Sequence, residues 1–264
     1  MLTMLTDTWI QALINTAEEA GKAILEIYGD ESRFERVDFK ADDSPLTLAD
    51  QAAHEVIVKH LTALTPEIPI LSEEGRKISY EERAGWDQFW LVDPLDGTKE
   101  FIKRNGEFTV NIALVAGSEV VMGCVHVPVT GVTYYASKGD GAFIIEGGAA
   151  ARRIEVNRFH MSDEGLRIVC SRSHRTPEVE AYLEQFTDPV SVSMGSSLKL
   201  LMIAEGKADI YPRLGPTMEW DTAASHIIVE EAGGTVVQDG TNIPLQYNKE
   251  NLLNPYFLVF GGKE

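Results

Sequence analysis

Hydrophobic residues near the start of the chain recur at steps of three and four, the period of an α-helix. The pattern predicts an amphipathic helix that ends at Gly29, because glycine commonly follows a helix C-terminus. A second helix is predicted over residues 48–64, with Pro66 after it. The polar segment 40–45 between the two helices predicts a loop. The apolar face of the first helix comprises Trp9, Leu13, Ala17, Ala20, Ile24 and Tyr28.

Apolar runs separated by glycines follow, and they predict strands over residues 68–71, 89–92, 108–115, 120–127, 132–136 and 154–156. In the second half, predicted strands (167–170, 190–194, 208–211 and near Thr235 and Phe257) alternate with helices. These helices begin at Pro177, after the cap Thr176, at the run 195–197, and at Asp221. A sheet-rich part over 1–157 and an α/β part over 158–264 predict an α/β fold of layered sheets and helices.

Carboxylates stand at the ends of predicted elements. Glu73 follows the strand 68–71, Asp93 and Asp96 follow the strand 89–92, Asp221 begins a helix, and Asp50 lies near the start of another. Each has an ordinary alternative: a turn for the first three, a helix cap for Asp221, and a favourable helix-dipole contact for Asp50.

Taken together, these acids indicate a metal site. Strand C-termini are where α/β sheets place their ligands, and converging carboxylates repel each other unless cations compensate their charge. Oxygen ligands with no nearby histidine or cysteine cluster favour Mg²⁺ over zinc.

The net charge of −18 argues against binding to nucleic acid, which relies on basic patches. An anionic substrate would therefore need metal ions or a local cluster of Lys and Arg. Cys124 and Cys170 lie in strand-like runs, which predicts buried thiols in a reducing compartment. We see no signal peptide and no apolar stretch of the ~20 residues that a membrane span needs, so we predict a cytoplasmic protein.

Three blocks of sequence carry a family resemblance. The chain resembles the lithium-sensitive, Mg²⁺-dependent phosphatases, which include inositol monophosphatase, fructose 1,6-bisphosphatase and 3'(2'),5'-bisphosphate nucleotidase. The resemblance covers nearly the whole chain and implies an αβαβα sandwich. Its blocks are Glu73-Glu74, Asp93-Pro94-Leu95-Asp96-Gly97-Thr98 and Trp220-Asp221-Thr222-Ala223-Ala224.

The resemblance also implies roles for individual residues. Two or three Mg²⁺ ions would be held by Glu73, Asp93, Asp96, Asp221 and the backbone carbonyl of Leu95. The amides of Gly97 and Thr98 would meet the phosphate. Thr98 and Asp50 would orient the attacking water and take its proton, assisted by Glu73.

Other segments resemble the bisphosphate nucleotidase branch: residues 99–111, Ser171-Arg172-Ser173-His174, Gly195-Ser196-Ser197-Leu198-Lys199 and Tyr211-Pro212-Arg213. A substrate with two phosphates needs a second anion site, which the helix start at Ser196, with Lys199 and Arg213, could supply. The alternatives are a helix cap for Ser196, a solvated Lys199 and a surface-loop His174. The substrate-binding set is Glu73, Leu95, Asp96, Gly97, Thr98, His174, Ser196, Lys199, Arg213 and Asp221.

The expected reaction is hydrolysis of the 3'-phosphate of adenosine 3',5'-bisphosphate to AMP and phosphate, in sulfate assimilation. The sulfated precursor of this nucleotide is a further candidate substrate. Two alternatives stand beside it: a monoesterase for inositol or sugar phosphates, and a non-catalytic adaptor on the same fold. Monomer and dimer are both open, and so is peripheral contact with the inner membrane.

Overall fold

The predicted helices and strands form alternating layers. The computed structural model describes residues 2–34, 37–39, 45–170 and 176–264. The helices there are α1 Leu2–Tyr28, α2 Glu31–Phe34, α3 Leu48–Leu64, α4 Tyr80–Arg83, α5 Thr98–Ile102, α6 Pro177–Leu183, α7 Leu198–Ala204 and α8 Glu219–Glu231. The strands are β1 Val37–Phe39, β2 Pro45–Thr47, β3 Ile70–Ser72, β4 Gln88–Asp96, β5 Thr109–Ala116, β6 Glu119–Val127, β7 Val132–Ser137, β8 Gly141–Ile145, β9 Arg152–Ile154, β10 Arg158–Phe159, β11 Arg167–Cys170, β12 Val190–Ser193, β13 Ile210–Arg213, β14 Thr235–Gln238, β15 Phe257–Phe260 and β16 Gly262–Lys263.

Two large sheets organise these elements. One has the order β3-β4-β5-β6-β7-β8-β9, with β3 parallel to β4 and the other neighbours antiparallel. The other has the order β12-β11-β13-β15-β14. The short parallel pair β10 and β16 lies outside both sheets. The predicted division at residue 157 falls between the two large sheets and stays a prediction.

Side chains alternate across the strands and so define the layers. On β4, Trp90 and Val92 pack with the buried faces of α1 and α3, whereas Phe89 and Leu91 belong to the core that contains α7 and α8. That central core also takes in the five-stranded sheet, whose other face packs against α6. The layers therefore run helix, sheet, helix, sheet, helix, which confirms the predicted αβαβα architecture.

Several predicted boundaries differ from the observed ones. The strand expected to end at residue 92 continues through Pro94 to Asp96, because β4 still pairs with β5 beyond a shift in register between Asp93 and Asp96. The helix expected to open at residues 195–197 begins at Leu198, so the expected helix start at Ser196 is wrong. Ser196 has φ of 43°, a left-handed conformation that cannot belong to an α-helix.

Other predictions hold. The second helix spans residues 48–64 as expected, and Cys124 and Cys170 are both buried. In the predicted loop 40–45, Pro45 begins β2 and residues 40–44 lie outside the described ranges. Among the helices that the described ranges contain, none pairs the length with the apolar character needed to cross a bilayer.

Gly123 of β6 lies where α8 comes closest to the seven-stranded sheet. A Cβ at this position would be 2.5 Å from the Ala224 carbonyl oxygen and 2.6 Å from the Ile227 Cγ2. We expect Gly123→Ala to lower the free energy of unfolding by about 1–3 kcal/mol, because α8 must move away from the sheet.

Thermal unfolding checks this expectation, with Gly85→Ala as the matched control. A Cβ at Gly85 meets nothing within 4 Å. The predicted loss corresponds to a melting temperature lower by roughly 3–10 °C for Gly123→Ala. Equal melting temperatures for the two variants would contradict the close packing of α8.

Candidate metal and phosphate site

Three carboxylates converge at one edge of the seven-stranded sheet. Because β3 and β4 are parallel and Ser72 pairs with Val92, Glu73 and Asp93 come next to each other at the same edge, and the Glu73 amide donates to the Val92 carbonyl at 3.1 Å. Asp221 reaches the same place from the first turn of α8, where its Oδ2 accepts from the Met218 amide at 2.9 Å. One oxygen of each of Glu73, Asp93 and Asp221 lies within 4.8 Å of the others.

Burial and mutual repulsion make this cluster unfavourable without a cation. Burial, followed by the charge of Glu73, raises the pKa of Asp93 well above its ordinary value. Burial, followed by the charge of Asp96, raises the pKa of Asp221 to about 8. A bound divalent cation would remove this repulsion, and carboxylate oxygens are the ligands that Mg²⁺ prefers. The cluster therefore fits a magnesium site.

The residues that follow Asp93, from the end of β4 to the start of α5, include further predicted site residues. The Leu95 amide donates to Asp93 Oδ1 at 3.0 Å, while the Leu95 side chain is buried in the core. Gly97 precedes α5 with φ of 95°, and a Cβ there would lie 3.2 Å from the Glu107 carbonyl oxygen. Both the dihedral angle and the close approach require glycine.

Thr98, at the start of α5, and Asp50 form a hydrogen-bonded pair. The Thr98 hydroxyl lies 3.3 Å from Asp50 Oδ1 and 3.5 Å from the Leu95 carbonyl oxygen. Asp50 is buried, and its Oδ2 accepts from the Thr47 amide and hydroxyl at 2.7 and 2.6 Å. Asp50 therefore takes part in capping α3 with one oxygen, at the helix start where a favourable helix-dipole contact was the alternative, and faces Thr98 with the other.

A cavity of about 440 Å³ adjoins the carboxylates, with Asp96, Gly97 and Asp221 in its wall. This volume suits a small-molecule ligand. Burial raises the pKa of Asp96 to about 6, and the charge of Lys199 opposes that rise. Carboxylates and a lysine therefore share the wall of this cavity.

Ser196, Lys199 and Arg213 also line this cavity. Lys199 Nζ donates to the Ser196 carbonyl oxygen at 2.7 Å, and burial lowers the pKa of Lys199 to about 8. The buried Ser196 Oγ and Arg213 Nε have no hydrogen-bond partner among the described residues, although Arg213 Nη2 donates to the Pro216 carbonyl at 2.7 Å. The geometry thus brings together three of the four residues that the resemblance to the nucleotidase branch assigned to substrate recognition.

The fourth, His174, lies outside the described residues, as does the whole run Ser171-Arg172-Ser173-His174. The structure also adds wall residues that were not assigned individually, several of which lie in the segment 99–111 that carries the resemblance to the nucleotidase branch. The apolar ones come from distant elements and are recognisable only once the sheets are assembled. These additional residues include Glu100, Lys103, Asn105, Glu107, Met194, Leu200 and Phe257.

A buried carboxylate cluster beside a cavity that contains lysine and arginine, set in an αβαβα sandwich, fits a metal-dependent phosphatase. The sequence model of the Inositol monophosphatase family matches residues 5–255, and the chain belongs to that family. Members of this family depend on Mg²⁺.

Individual relatives are similar over nearly their full length. The chain is 47% identical to the 3'(2'),5'-bisphosphate nucleotidase CysQ of Salmonella typhimurium, over 95% of this chain and 98% of that protein. It is also 47% identical to the CysQ of Escherichia coli, over 92% and 96% of the two chains. The crystal structure of CysQ from Bacteroides thetaiotaomicron superposes with a TM-score of 0.84, at 47% identity, over 97% of this chain and 98% of that one.

Proposed function

We propose that this protein is a Mg²⁺-dependent 3'(2'),5'-bisphosphate nucleotidase that removes the 3'-phosphate of adenosine 3',5'-bisphosphate and yields AMP and phosphate. One observation carries the proposal: a single cavity beside the carboxylate cluster is lined by Asp96 and Asp221 and also by Lys199 and Arg213. A substrate with two phosphates can use the carboxylate-bound cations and these two side chains at once. The similarity to CysQ proteins of the same length supports this choice over other phosphatases of the family.

Glu73, Asp93, Asp96, Asp221 and the Leu95 carbonyl would hold two or three Mg²⁺ ions. When bound, Mg²⁺ supplies the positive charge that neutralises phosphate oxygens and lowers the pKa of the attacking water. The high pKa values of Asp93 and Asp221 support this assignment, because their cause, burial beside other carboxylates, is what a cation relieves.

Thr98 and Asp50 would orient the attacking water and take its proton. The Thr98 hydroxyl has one proton to donate, and Asp50 Oδ1 is its nearer acceptor. A water that donates to the Thr98 oxygen can therefore pass its proton to Asp50 through this hydroxyl. Glu73 would assist by accepting from the same water, and the amides of Gly97 and Thr98 would bind the phosphate.

The second phosphate would lie against Ser196, Lys199 and Arg213, with His174 as a further ligand. Ser196 Oγ and Arg213 Nε are buried donors whose partner a phosphate oxygen would provide. We also propose a cytoplasmic location. The two buried cysteines support it, because free thiols are typical of a reducing compartment.

Phosphate release from three substrates tests the proposal: adenosine 3',5'-bisphosphate, inositol 1-phosphate and fructose 1,6-bisphosphate, each with and without Li⁺. We expect the nucleotide to give a kcat/KM about 100-fold higher than inositol 1-phosphate, which has no second phosphate, since two charge-assisted hydrogen bonds contribute roughly 3 kcal/mol. Fructose 1,6-bisphosphate also carries two phosphates, so a higher kcat/KM for the nucleotide than for this sugar tests recognition of the nucleoside. We also expect Li⁺ to inhibit hydrolysis of the nucleotide.

Two results would contradict the proposal in different ways. Preference for inositol 1-phosphate or fructose 1,6-bisphosphate would make the protein a monoesterase of that class. A correctly folded preparation with no Mg²⁺-stimulated hydrolysis of any of the three would favour a non-catalytic adaptor.

A further inference from the structure

Behind the cavity wall, three buried side chains form a short series of hydrogen bonds. The Ser197 Oγ lies 2.8 Å from Thr109 Oγ1 and 3.0 Å from Asn111 Oδ1, and all three residues are at most 2% exposed. An amide oxygen can only accept, so the single Ser197 hydroxyl proton points to Asn111. Thr109 is therefore the donor to Ser197.

This series lies directly beside the carboxylates. Thr109 and Asn111 of β5 are the register partners of Asp96 and Asp93 of β4, and the shift in register falls between the two pairs. The Ser197 amide donates to Asp96 Oδ2 at 2.5 Å. One residue is therefore fixed to β5 through its hydroxyl and holds Asp96 through its backbone.

The neighbouring residue, Ser196, connects this series to Lys199 in the cavity wall. Ser196 has a positive φ of 43°, and its carbonyl accepts from Lys199 Nζ. A non-glycine residue in this conformation costs about 1–3 kcal/mol and persists only where its surroundings fix it. The three hydrogen bonds of Ser197 supply that constraint on one side of Ser196.

Asn111 itself carries an energetic cost. Its buried Nδ2 has no hydrogen-bond partner among the described residues. A buried donor without a partner costs about 1–3 kcal/mol, which an apolar residue of similar shape would avoid. A strained serine and an unsatisfied asparagine at the same place indicate a part of the protein shaped for function rather than for stability.

We propose that Thr109 and Asn111 are positioning residues, which act through Ser197 to fix the Asp96 carboxylate and the Ser196–Lys199 wall in one arrangement. The position of the metal ligand Asp96 and the position of the second anion site then depend on the same hydrogen bonds. This inference rests on the proposed function for the identity of the second anion, but the positioning of Asp96 does not depend on it.

Thr109→Val tests the proposal, because it replaces the donating hydroxyl with a methyl group of the same size. Loss of a partner that orients a metal ligand costs about 10–100-fold in metal affinity or activity. We therefore expect the Mg²⁺ concentration that gives half-maximal thermal stabilisation of the substrate-free protein to rise at least about tenfold, together with the Mg²⁺ concentration for half-maximal phosphate release, and kcat to fall. We expect Thr109→Ser, which keeps the hydroxyl, to retain a nearly wild-type Mg²⁺ requirement.

Thr133→Val is the matched control. Thr133 is equally buried in β7 of the same sheet, and its hydroxyl lies 2.9 Å from His126 Nδ1, away from the cavity. We expect the control to lose stability while its kcat and Mg²⁺ requirement stay within about twofold of the wild type. Ser197→Ala, which removes both hydroxyl bonds, should reproduce the Thr109→Val effect, and the double variant should lose little more than either single variant.

A Thr109→Val or Ser197→Ala protein that is folded, less stable, and unchanged in kcat and Mg²⁺ requirement would overturn the proposal. Additive losses in the double variant would also overturn it. If the wild-type protein prefers a monophosphate, the proposed function fails, but the Mg²⁺ requirement measured with that monophosphate still decides whether Thr109 positions Asp96.

Discussion

Asp221→Asn is expected to abolish Mg²⁺-dependent phosphate release and, in the presence of a chelator, to stabilise the protein. Asp221 is one of three carboxylates whose oxygens lie within 4.8 Å of one another. Positive charge at the reacting phosphate is worth several kcal/mol, so removal of one ligand should lower kcat/KM about a thousandfold. The same substitution removes a buried charge that repels Asp96, with an expected gain of about 1–2 kcal/mol.

The gain in stability should depend on pH. The pKa of Asp221 is raised from 3.8 to about 8 in the folded chain, so the folded state binds this proton more tightly than the unfolded state. The wild-type, metal-free protein should then lose stability at this group as the pH rises from about 4 to about 8. Asp221→Asn lacks the group and should show its largest advantage near the upper end of that range.

Thermal unfolding in chelator and in Mg²⁺, together with phosphate release, measures both effects. Asp140→Asn, the same substitution at an exposed loop residue, is the control. Mg²⁺ should raise the melting temperature of the wild type and of the control, but not that of Asp221→Asn. Near-normal hydrolysis by Asp221→Asn would remove this residue from the metal site.

Lys199→Met should separate binding of the second phosphate from hydrolysis at the metal site. Lys199 lines the cavity with Ser196 and Arg213, so its loss removes a charge-assisted hydrogen bond to the second phosphate worth about 1.5–3 kcal/mol. We expect kcat/KM for adenosine 3',5'-bisphosphate to fall about 10–100-fold, while hydrolysis of 3'-AMP, which lacks the second phosphate, changes little.

The matched control is Lys207→Met, because Lys207 is an exposed lysine that pairs with Glu205 outside the cavity. Lys199→Arg keeps the charge and should retain part of the preference for the bisphosphate. An equal loss with both nucleotides would mean that Lys199 supports the Ser196 loop rather than the second phosphate.

The metal-ligand candidates could be predicted from sequence because local pattern determines where they stand. Glu73 and Asp93 each follow an apolar run, and parallel pairing of β3 and β4 brings the two run ends together. The position of Asp221 could be predicted from the start of a helix alone. In contrast, β4 continues past Pro94 because of its pairing with β5, a contact that the apolar run itself does not contain.

The cavity wall was harder to predict because long-range contacts build it. Ser197 donates to Asp96 across 101 positions of sequence, and Ser197 Oγ meets Asn111 across 86. Neither pair has a local signature. The left-handed conformation of Ser196 is also unusual for serine, so the sequence pattern favoured a helix start there.

The charge of the protein agrees with this arrangement. A chain with a net charge of −18 would repel a nucleotide bisphosphate unless positive charge were concentrated locally. Lys199 and Arg213 provide such charge in the cavity wall, and the carboxylate cluster beside the cavity calls for cations. Binding of the anionic substrate should therefore depend on bound metal as well as on Lys199 and Arg213.

The most direct test of the proposed activity is the identity of the product. Phosphorus NMR identifies it during Mg²⁺-dependent hydrolysis of adenosine 3',5'-bisphosphate. With the 3'-phosphate at the carboxylates and the 5'-phosphate at Lys199 and Arg213, the products should be inorganic phosphate and 5'-AMP. Accumulation of 3'-AMP, or no Mg²⁺-dependent cleavage of this nucleotide, would contradict the account.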